Sequence, residues 1–251
     1  MRGRLQRRDG VTGAGCPPDG TVHVWRIPLS APPHVVSELT AVLDPGERER
    51  GERALPEDRA RSRIAHGAAR LILGAYLAEP PEHLRYTYGR WGKPALHGHP
   101  ELRFNLSHSG GLALLAVASQ RALGIDVERL PHPADRAVRK AERWFPAEEA
   151  AYVRAGRDSD DAAARFTALW TRKEAWVKAA GGRMVQGLRL PVGPGMRDGD
   201  VVRDPEGRVP GRWSLTGVPV GDGYVAALAV AAEPGERPVR LEVRRWRRSG
   251  T

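Results

Sequence analysis

The sequence of 251 residues contains a single cysteine, Cys16. One cysteine cannot form an internal disulfide, and it excludes a cysteine-rich zinc site and an iron–sulfur cluster. Long apolar runs are also missing, because the longest one, residues 224–232, is far shorter than the ~20 residues of a membrane-spanning helix. The first residues include four arginines but no apolar segment, so no secretory signal is predicted. These absences predict a cytoplasmic protein without a membrane partner.

Lysine is scarce, and the basic charge is concentrated at the chain ends. The net charge is +10, yet residues 1–9 carry +3 and residues 240–251 carry +4. A nucleic-acid-binding domain usually concentrates its basic residues on one face of the fold, so this distribution argues against a nucleic-acid partner. Only four of the 40 basic residues are lysine, which makes each lysine a candidate for a specific role: Lys93, Lys140, Lys173 and Lys178.

Hydrophobic periodicity and turn residues divide the chain into helices and short strands. Strands are predicted at 21–27, 86–88, 104–106, 112–118, 122–127, 188–192, 213–216, 224–231 and 239–243. Helices are predicted at 35–43, from Asp44-Pro45 onward, and at 56–78, 134–143, 147–155 and 162–180. Residues 1–20 are rich in Arg, Gly and Pro, which predicts a flexible basic tail.

The strand pattern repeats along the chain. Residues 104–128 and 213–243 each hold three short strands, and a helix precedes each series. This repetition predicts an α+β fold, a pseudo-dimer of two similar halves in which each half is a small antiparallel sheet packed with helices. The N-terminal half would be 21–120 and the C-terminal half 121–251. Because only the first series contains polar motifs, we expect one active site at the junction.

Two carboxylates occur in the strand-like segment 124–128 (GIDVE). Side chains alternate between the faces of a strand, so Asp126 and Glu128 face one way while Ile125 and Val127 face the core. Two acids on one face repel each other unless a cation lies between them, and oxygen ligands suit Mg²⁺. The same spacing also fits an exposed strand end with two solvated acids.

A third acid and a lysine lie in segment 170–178 (WTRKEAWVK). Helical spacing places Trp170, Glu174 and Lys178 on one face, so Glu174 could join the metal ligands and Lys178 could meet a phosphate. An ordinary Glu–Lys pair on a helix surface is the alternative, and such pairs are common.

The segment 104–110 (FNLSHSG) places Ser107 beside His108. Neighbours on a strand face opposite ways, so the two cannot act as nucleophile and base, and no G-x-S-x-G motif is present. If the strand ends at Ser107, the following residues form a polar turn that could receive a phosphate. An ordinary hairpin turn is the alternative.

Basic residues of two further segments are candidate phosphate ligands. Gly92-Lys93-Pro94 is too short for a P-loop, but Lys93 could meet a phosphate from this turn. The series Arg59, Arg61, Arg63 and Arg70 cannot all share one helix face, and most of these arginines are expected to be solvated.

Together, in this order, the motifs G-K-P, F-N-L-S-H-S, G-I-D-V-E and W-x-x-K-E-A-x-x-K-x-x-G resemble those of the Sfp-type 4′-phosphopantetheinyl transferases. Here they lie at 92–94, 104–109, 124–128 and 170–181. The resemblance extends from about residue 57 to residue 182. It implies the family's fold, a monomer with internal pseudo-two-fold symmetry.

The resemblance also implies an activity. These enzymes transfer the 4′-phosphopantetheine arm of coenzyme A to a serine of an apo acyl or peptidyl carrier protein, and they release 3′,5′-ADP. The family uses Mg²⁺, with Mn²⁺ as a substitute. The carrier protein would dock on residues 131–144 of the C-terminal half, and coenzyme A would bind the N-terminal half.

Carried over by motif, Asp126, Glu128 and Glu174 would hold the metal ion. Glu174 and Lys178 would be the catalytic residues, as proton acceptor and leaving-group stabiliser. The coenzyme A contacts would come from Arg61, Lys93, Pro94, Ser107, His108 and Lys178. His108 and Arg61 would meet the 3′-phosphate, although Arg59 and Arg63 are close alternatives to Arg61.

Two other classes of protein remain open on the residues alone. A Mg²⁺-dependent nuclease or phosphohydrolase also needs clustered acids and a lysine, but it leaves the G-K-P and S-H-S segments unexplained. A basic nucleic-acid-binding module fits the net charge, but not the aromatic content of 6%.

Overall fold

The computed structural model describes residues 16–130 and 134–247. Residues 1–15 of the predicted tail therefore lie outside the described residues, as do 131–133 of the predicted docking segment and 248–251 of the basic C-terminus. Residues 16–20 form a bend and a turn that lead into the first strand. Among the described residues, no helix combines the length and apolar character needed to cross a membrane.

Residues 16–119 hold five strands and three α-helices. They are β1 (Thr21–Pro28), α1 (Pro33–Ala41), α2 (Pro45–Glu52), α3 (Pro56–Leu77), β2 (Tyr86–Tyr88), β3 (Pro94–Leu96), β4 (Leu102–Ser109) and β5 (Leu112–Ser119). Asp44 caps α2 as predicted, because its carboxylate accepts a hydrogen bond from the backbone N–H of Glu47 at 2.8 Å.

The second part begins with the strand that carries the paired acids. Its elements are β6 (Leu123–Arg129), α4 (Ala134–Trp144), α5 (Ala147–Arg154), α6 (Ser159–Ala180), α7 (Met184–Gly187), β7 (Asp200–Val202), β8 (Trp213–Gly217), β9 (Tyr224–Ala231) and β10 (Arg240–Arg245). Gly181 ends α6 in the left-handed conformation, at φ 69°, which glycine adopts without strain.

Two four-stranded sheets organise these elements. Their strand orders are β10-β1-β5-β4 and β6-β9-β8-β7, and β2 pairs with β3 in a separate ribbon. The predicted α+β fold of two small sheets packed with helices is confirmed. Among the described strands, every pairing is antiparallel except that of β10, which runs parallel to β1.

The pairing of strand β10 differs from the predicted boundaries of the halves. The sequence assigns residues 121–251 to the C-terminal half, but β10 pairs with β1 in the other sheet. The predicted repeat also matched the strand of residues 125–128 with that of residues 241–243. In the structure β6 instead occupies the place that β1 has in the first half, since each is antiparallel to the last strand of its own hairpin.

The sheets pack against each other on one face and against helices on the other. Alternating residues divide strand β5 between the two sides: Leu114 and Ala116 enter the core between the sheets, while Leu115 and Val117 enter the core beneath α1 and α3. A third core joins α4, α5 and α6 to the second sheet. The chain therefore forms four layers in the order helix, sheet, sheet, helix.

The predicted strand at 188–192 is wrong. This segment pairs with no described strand, although Leu190 and Val192 are fully buried. Helix side chains take over the role of a neighbouring strand: Lys173 donates to the carbonyl oxygen of Leu190, and Glu149 accepts from the N–H of Val192 at 2.9 Å. The apolar pattern predicted correctly that this segment is buried. It could not predict which groups form hydrogen bonds with the backbone N–H and C=O groups of the segment.

Arg70 is fully buried, so it is the exception in a series of arginines of which most were expected to be solvated. Its guanidinium group donates to the carboxylates of Glu47 and Asp44, the latter at 2.8 Å, and to the carbonyl oxygens of Pro81 and Leu84. Burial raises the pKa of Glu47, and the charge of Arg70 opposes that rise. The hydrogen bonds of Arg70 thus connect α2 and the turn after α3 to the middle of α3.

We predict that Arg70→Met lowers the free energy of unfolding by about 3–5 kcal/mol, because it leaves the buried carboxylate of Glu47 without its cation. The matched control is Arg53→Met, since Arg53 pairs with Glu49 on the surface, where both side chains are about 70% exposed and the loss should stay below about 1 kcal/mol. Urea unfolding of both variants measures the difference. Equal losses would contradict the structural role given to Arg70.

Candidate active site at the junction of the halves

The candidate site lies where β4 of one sheet runs beside β6 of the other. Three polar side chains of β4 connect these edges. Asn105 accepts a hydrogen bond from the N–H of Ile125 at 2.8 Å. Ser107 donates to Asp126, and Ser109 donates to Glu128, each at 2.8 Å.

These contacts follow from the spacing along β4. Asn105, Ser107 and Ser109 lie two residues apart and therefore share one face of the strand. Both carboxylates of β6 are held at defined positions by serines of the other half. Asn105 and Ser109 are not among the site residues predicted from the sequence, although their period of two with Ser107 is visible there.

Strand β4 continues to Ser109, so the proposed polar turn after Ser107 is wrong. The hairpin turns at Gly110 and Gly111 instead, where Gly110 has φ 55°. His108 consequently faces away from Ser107, toward α3, and the two cannot form a nucleophile–base pair. This part of the sequence prediction is confirmed.

The two acids of β6 are directed as predicted. Ile125 and Val127 enter the core between the sheets, and Asp126 is 3% exposed on the opposite face. Burial raises the pKa of Asp126, whereas the neighbouring ammonium group of Lys178 lowers it. One carboxylate oxygen, Oδ2, is buried without a hydrogen-bond partner.

Helix α6 supplies the other two predicted groups. The Nζ atom of Lys178 donates to Asp126 at 2.6 Å and to the hydroxyl oxygen of Ser107 at 3.1 Å. Burial raises the pKa of Glu174; Lys178 opposes this effect, while the negative charges of Asp126 and Glu128 add to it. The three acids and the lysine, which come from β6 and α6, therefore lie close enough to interact electrostatically.

Gly124 allows α6 to reach this position. A Cβ atom at residue 124 would lie 2.2 Å from the backbone nitrogen of Ala179 and 2.3 Å from the carbonyl oxygen of Ala175. Real Cβ atoms do not approach backbone atoms so closely. The glycine of the GIDVE motif is thus a packing requirement that brings Lys178 to Asp126.

Among the described residues, no group of three or more His, Cys, Asp or Glu side chains is compact enough to hold a metal ion. Mg²⁺, however, usually takes one or two protein carboxylates and completes its shell with water and substrate phosphates. The unpaired Oδ2 of Asp126 and the mutually repelling acids around it fit such an ion.

His108 and Arg61 lie toward the N-terminal end of α3. Desolvation and the charge of Lys178 lower the pKa of His108, while Asp58 and Glu128 raise it. Arg61 donates to Asp58 at 2.8 Å, which connects it to the surroundings of His108. Arg59 and Arg63 turn instead toward Glu52 of α2.

Lys93 is directed into the protein. Its ammonium group donates to the carbonyl oxygen of Leu123 at 2.8 Å and to that of Ala179 at 2.9 Å. The half-buried Pro94 begins β3 and pairs with Tyr88. Lys93 and Pro94 line a cavity of about 510 Å³ between the halves, together with Phe104.

The comparisons with known proteins agree with this arrangement. Residues 122–229 match the family model described as the 4′-phosphopantetheinyl transferase superfamily. The chain is 35% identical to the 4′-phosphopantetheinyl transferase HetI of Nostoc sp. over 216 residues, which are 84% of this chain and 87% of HetI. It is 30% identical to the 4′-phosphopantetheinyl transferase Sfp of Bacillus subtilis over 151 residues, 60% of this chain and 63% of Sfp.

The chain therefore belongs to the 4′-phosphopantetheinyl transferase superfamily. It is an enzyme that transfers the 4′-phosphopantetheine arm of coenzyme A to carrier proteins. A mouse relative, named L-aminoadipate-semialdehyde dehydrogenase-phosphopantetheinyl transferase, is 28% identical over 199 residues, 71% of this chain and 64% of that protein. Family membership decides against the nuclease or phosphohydrolase and the nucleic-acid-binding module.

We predict that Gly124→Ala lowers the free energy of unfolding by about 1–3 kcal/mol, because the new methyl group pushes α6 away from β6. The transfer rate should fall further than the folded fraction does. Gly193→Ala is the matched control, since a Cβ atom there meets nothing within 4 Å. Thermal unfolding and a transfer assay would be run on both proteins, and a fully active Gly124→Ala enzyme would contradict this explanation.

Proposed function

We propose that this transferase is of the Sfp type and that it modifies a serine of apo acyl or peptidyl carrier proteins. The observation that carries the proposal is the meeting of Asp126, Glu174 and Lys178 beside Ser107 at the junction of the two halves. Two sheets within one chain also fit the fused form of the family. The monomeric state and the cytoplasmic location remain predictions.

In the proposed site, Mg²⁺ or Mn²⁺ would be held by carboxylates of the acid cluster, which consists of Asp126, Glu128 and Glu174, and water and substrate phosphates would complete its shell. When bound there, the ion would supply positive charge to neutralise the diphosphate of coenzyme A. The protein contributes a fixed set of oxygen atoms, because Ser107 and Ser109 orient two of the three carboxylates before the ion binds.

Proton transfer and charge stabilisation are assigned to α6. The carrier serine attacks the phosphorus atom next to the pantetheine arm, and the bond to the bridging oxygen of 3′,5′-ADP breaks. Glu174 accepts the serine proton; its half-buried position near two other acids favours proton uptake. Lys178, which already reaches into the cluster, stabilises the charge that develops on the leaving diphosphate oxygen.

Coenzyme A is proposed to bind mainly through the N-terminal half. His108 and Arg61 meet the 3′-phosphate, and the neighbourhood that both share with Asp58 supports this assignment. Ser107 and Lys178 lie beside the diphosphate. The turn with Lys93 and Pro94 borders the nucleotide at the cavity between the halves.

The carrier protein is proposed to dock on residues 131–144 of the C-terminal half. The described part of this segment is α4, where Arg136, Arg139 and Arg143 are exposed. Carrier proteins are typically acidic, so a basic helix beside the site would accelerate their encounter with the enzyme.

Intact mass spectrometry of an apo carrier protein tests this proposal. The carrier is incubated with coenzyme A, Mg²⁺ and either the wild-type enzyme, Asp126→Asn or Glu174→Gln. We expect one phosphopantetheine mass with the wild type and a rate at least about 100-fold lower with Glu174→Gln, because a general base is lost. Addition of EDTA should abolish the transfer.

The matched control is Glu148→Gln, since Glu148 is exposed on α5 and distant in sequence from the four motifs. This variant should retain the wild-type rate. Wild-type activity of Asp126→Asn would contradict the proposed metal site, while the transferase activity itself would stand. Fatty-acid, polyketide and non-ribosomal-peptide carriers tested side by side would identify the pathway.

A further inference from the structure

The ammonium group of Lys93 joins three segments that are far apart in sequence. Lys93 lies in the turn before β3, Leu123 is the first residue of β6, and Ala179 lies in the last turn of α6. Both of its hydrogen bonds, at 2.8 and 2.9 Å, go to backbone carbonyl oxygens of the other two segments. Lys93 therefore contacts the two elements that carry Asp126 and Lys178.

The contact with α6 is favourable for the end of a helix. The last carbonyl groups of a helix have no partner within it and carry partial negative charge, so a cation stabilises them. Burial, and secondly the charge of Arg103, lower the pKa of Lys93 to about 8, which leaves the group mainly charged at neutral pH. Withdrawing an ammonium group partly from water costs free energy, and the two hydrogen bonds to carbonyl oxygens offset part of that cost.

The position of the contact defines that task. Ala179 follows Lys178 directly, and Leu123 precedes Gly124, where the backbones of α6 and β6 approach closely. A small displacement of the end of α6 would move Lys178 away from Asp126, to which it is bonded at 2.6 Å. Errors of about 1 Å in the position of a catalytic group can lower a rate about 100-fold.

We propose that Lys93 is a positioning residue whose ammonium group locks the end of α6 onto the start of β6, so that Lys178 and Asp126 keep their productive distance. The inference rests on the proposed roles of these two residues. It gives the ammonium group a different role from the phosphate contact expected from the sequence, because both observed hydrogen bonds remain within the protein.

Steady-state kinetics separates the two roles. Lys93→Met keeps the length of the side chain but removes both hydrogen bonds. If Lys93 positions α6, kcat falls about 10- to 100-fold while the KM for coenzyme A changes less than about threefold. Lys93→Arg, which retains a charged donor, recovers part of the lost kcat. A contact with the nucleotide predicts the reverse, a raised KM at an unchanged kcat, and that result would overturn the proposal.

Arg85→Met is the matched control. Arg85 also donates to backbone carbonyl oxygens, at 3.1 and 3.5 Å, but both belong to its own turn, at Glu82 and Leu84. The control removes the same charge and similar hydrogen bonds without releasing α6. It should keep wild-type kcat and KM, and kinetic constants for Lys93→Met equal to those of the control would also overturn the proposal.

Hydrogen–deuterium exchange supplies a measurement that is independent of activity. In Lys93→Met, the amides of residues 178–182 and 123–128 should exchange faster, while those of β8 keep their wild-type rates. Faster exchange throughout the chain would indicate a general structural role and overturn the inference. If Lys93→Met does not fold, Lys93→Gln is measured in its place. Failure of both variants to fold would also indicate a general structural role and overturn the inference.

The two proposals can fail separately. Full transfer activity of Asp126→Asn would refute the proposed site, whereas unchanged exchange at residues 178–182 in Lys93→Met would refute only the role of Lys93.

Discussion

The close contact between α6 and β6 is the constraint on which the rest of the site depends. Gly124 leaves no side chain between the two backbones, so the helix lies directly on the strand. Only at this distance does Lys178 reach both Asp126 and Ser107. The hydrogen bonds of Asn105, Ser107 and Ser109 then bring the other half of the molecule to the same strand. A local packing requirement thus determines the geometry of a site formed by both halves.

The electrostatics of this site oppose folding and favour binding. Asp126 and Glu174 have raised pKa values because they are withdrawn from solvent, and the charge of Lys178 offsets this effect only in part. The buried Oδ2 of Asp126 has no partner. Buried groups of this kind reduce stability, and proteins retain them where a ligand supplies the missing interaction. A divalent cation together with a diphosphate would do so here.

Much of the fold could be predicted from the sequence, because periodicity reports which face of an element is buried. The long helices α3 and α6 and the strand β5 were predicted close to their observed bounds. Partners of isolated segments could not be predicted in this way. Residues 188–192 have the apolar pattern of a strand, but their backbone forms hydrogen bonds with the side chains of Lys173 and Glu149. Strand β10 pairs with the sheet of the first half. The partner of such a segment depends on which strands and side chains elsewhere in the fold still have hydrogen-bonding groups to offer.

The family, the order of the motifs and the direction of Asp126 and Glu128 could be predicted from the sequence alone, because strand alternation and motif spacing are local properties. The tertiary structure decided what each residue contacts. It turned Lys93 toward backbone carbonyl groups, buried Arg70 among acids and added Asn105 and Ser109 to the site. The physical reason is that hydrogen bonds and ion pairs form between segments distant in sequence, and their geometry exists only after the two sheets have packed together.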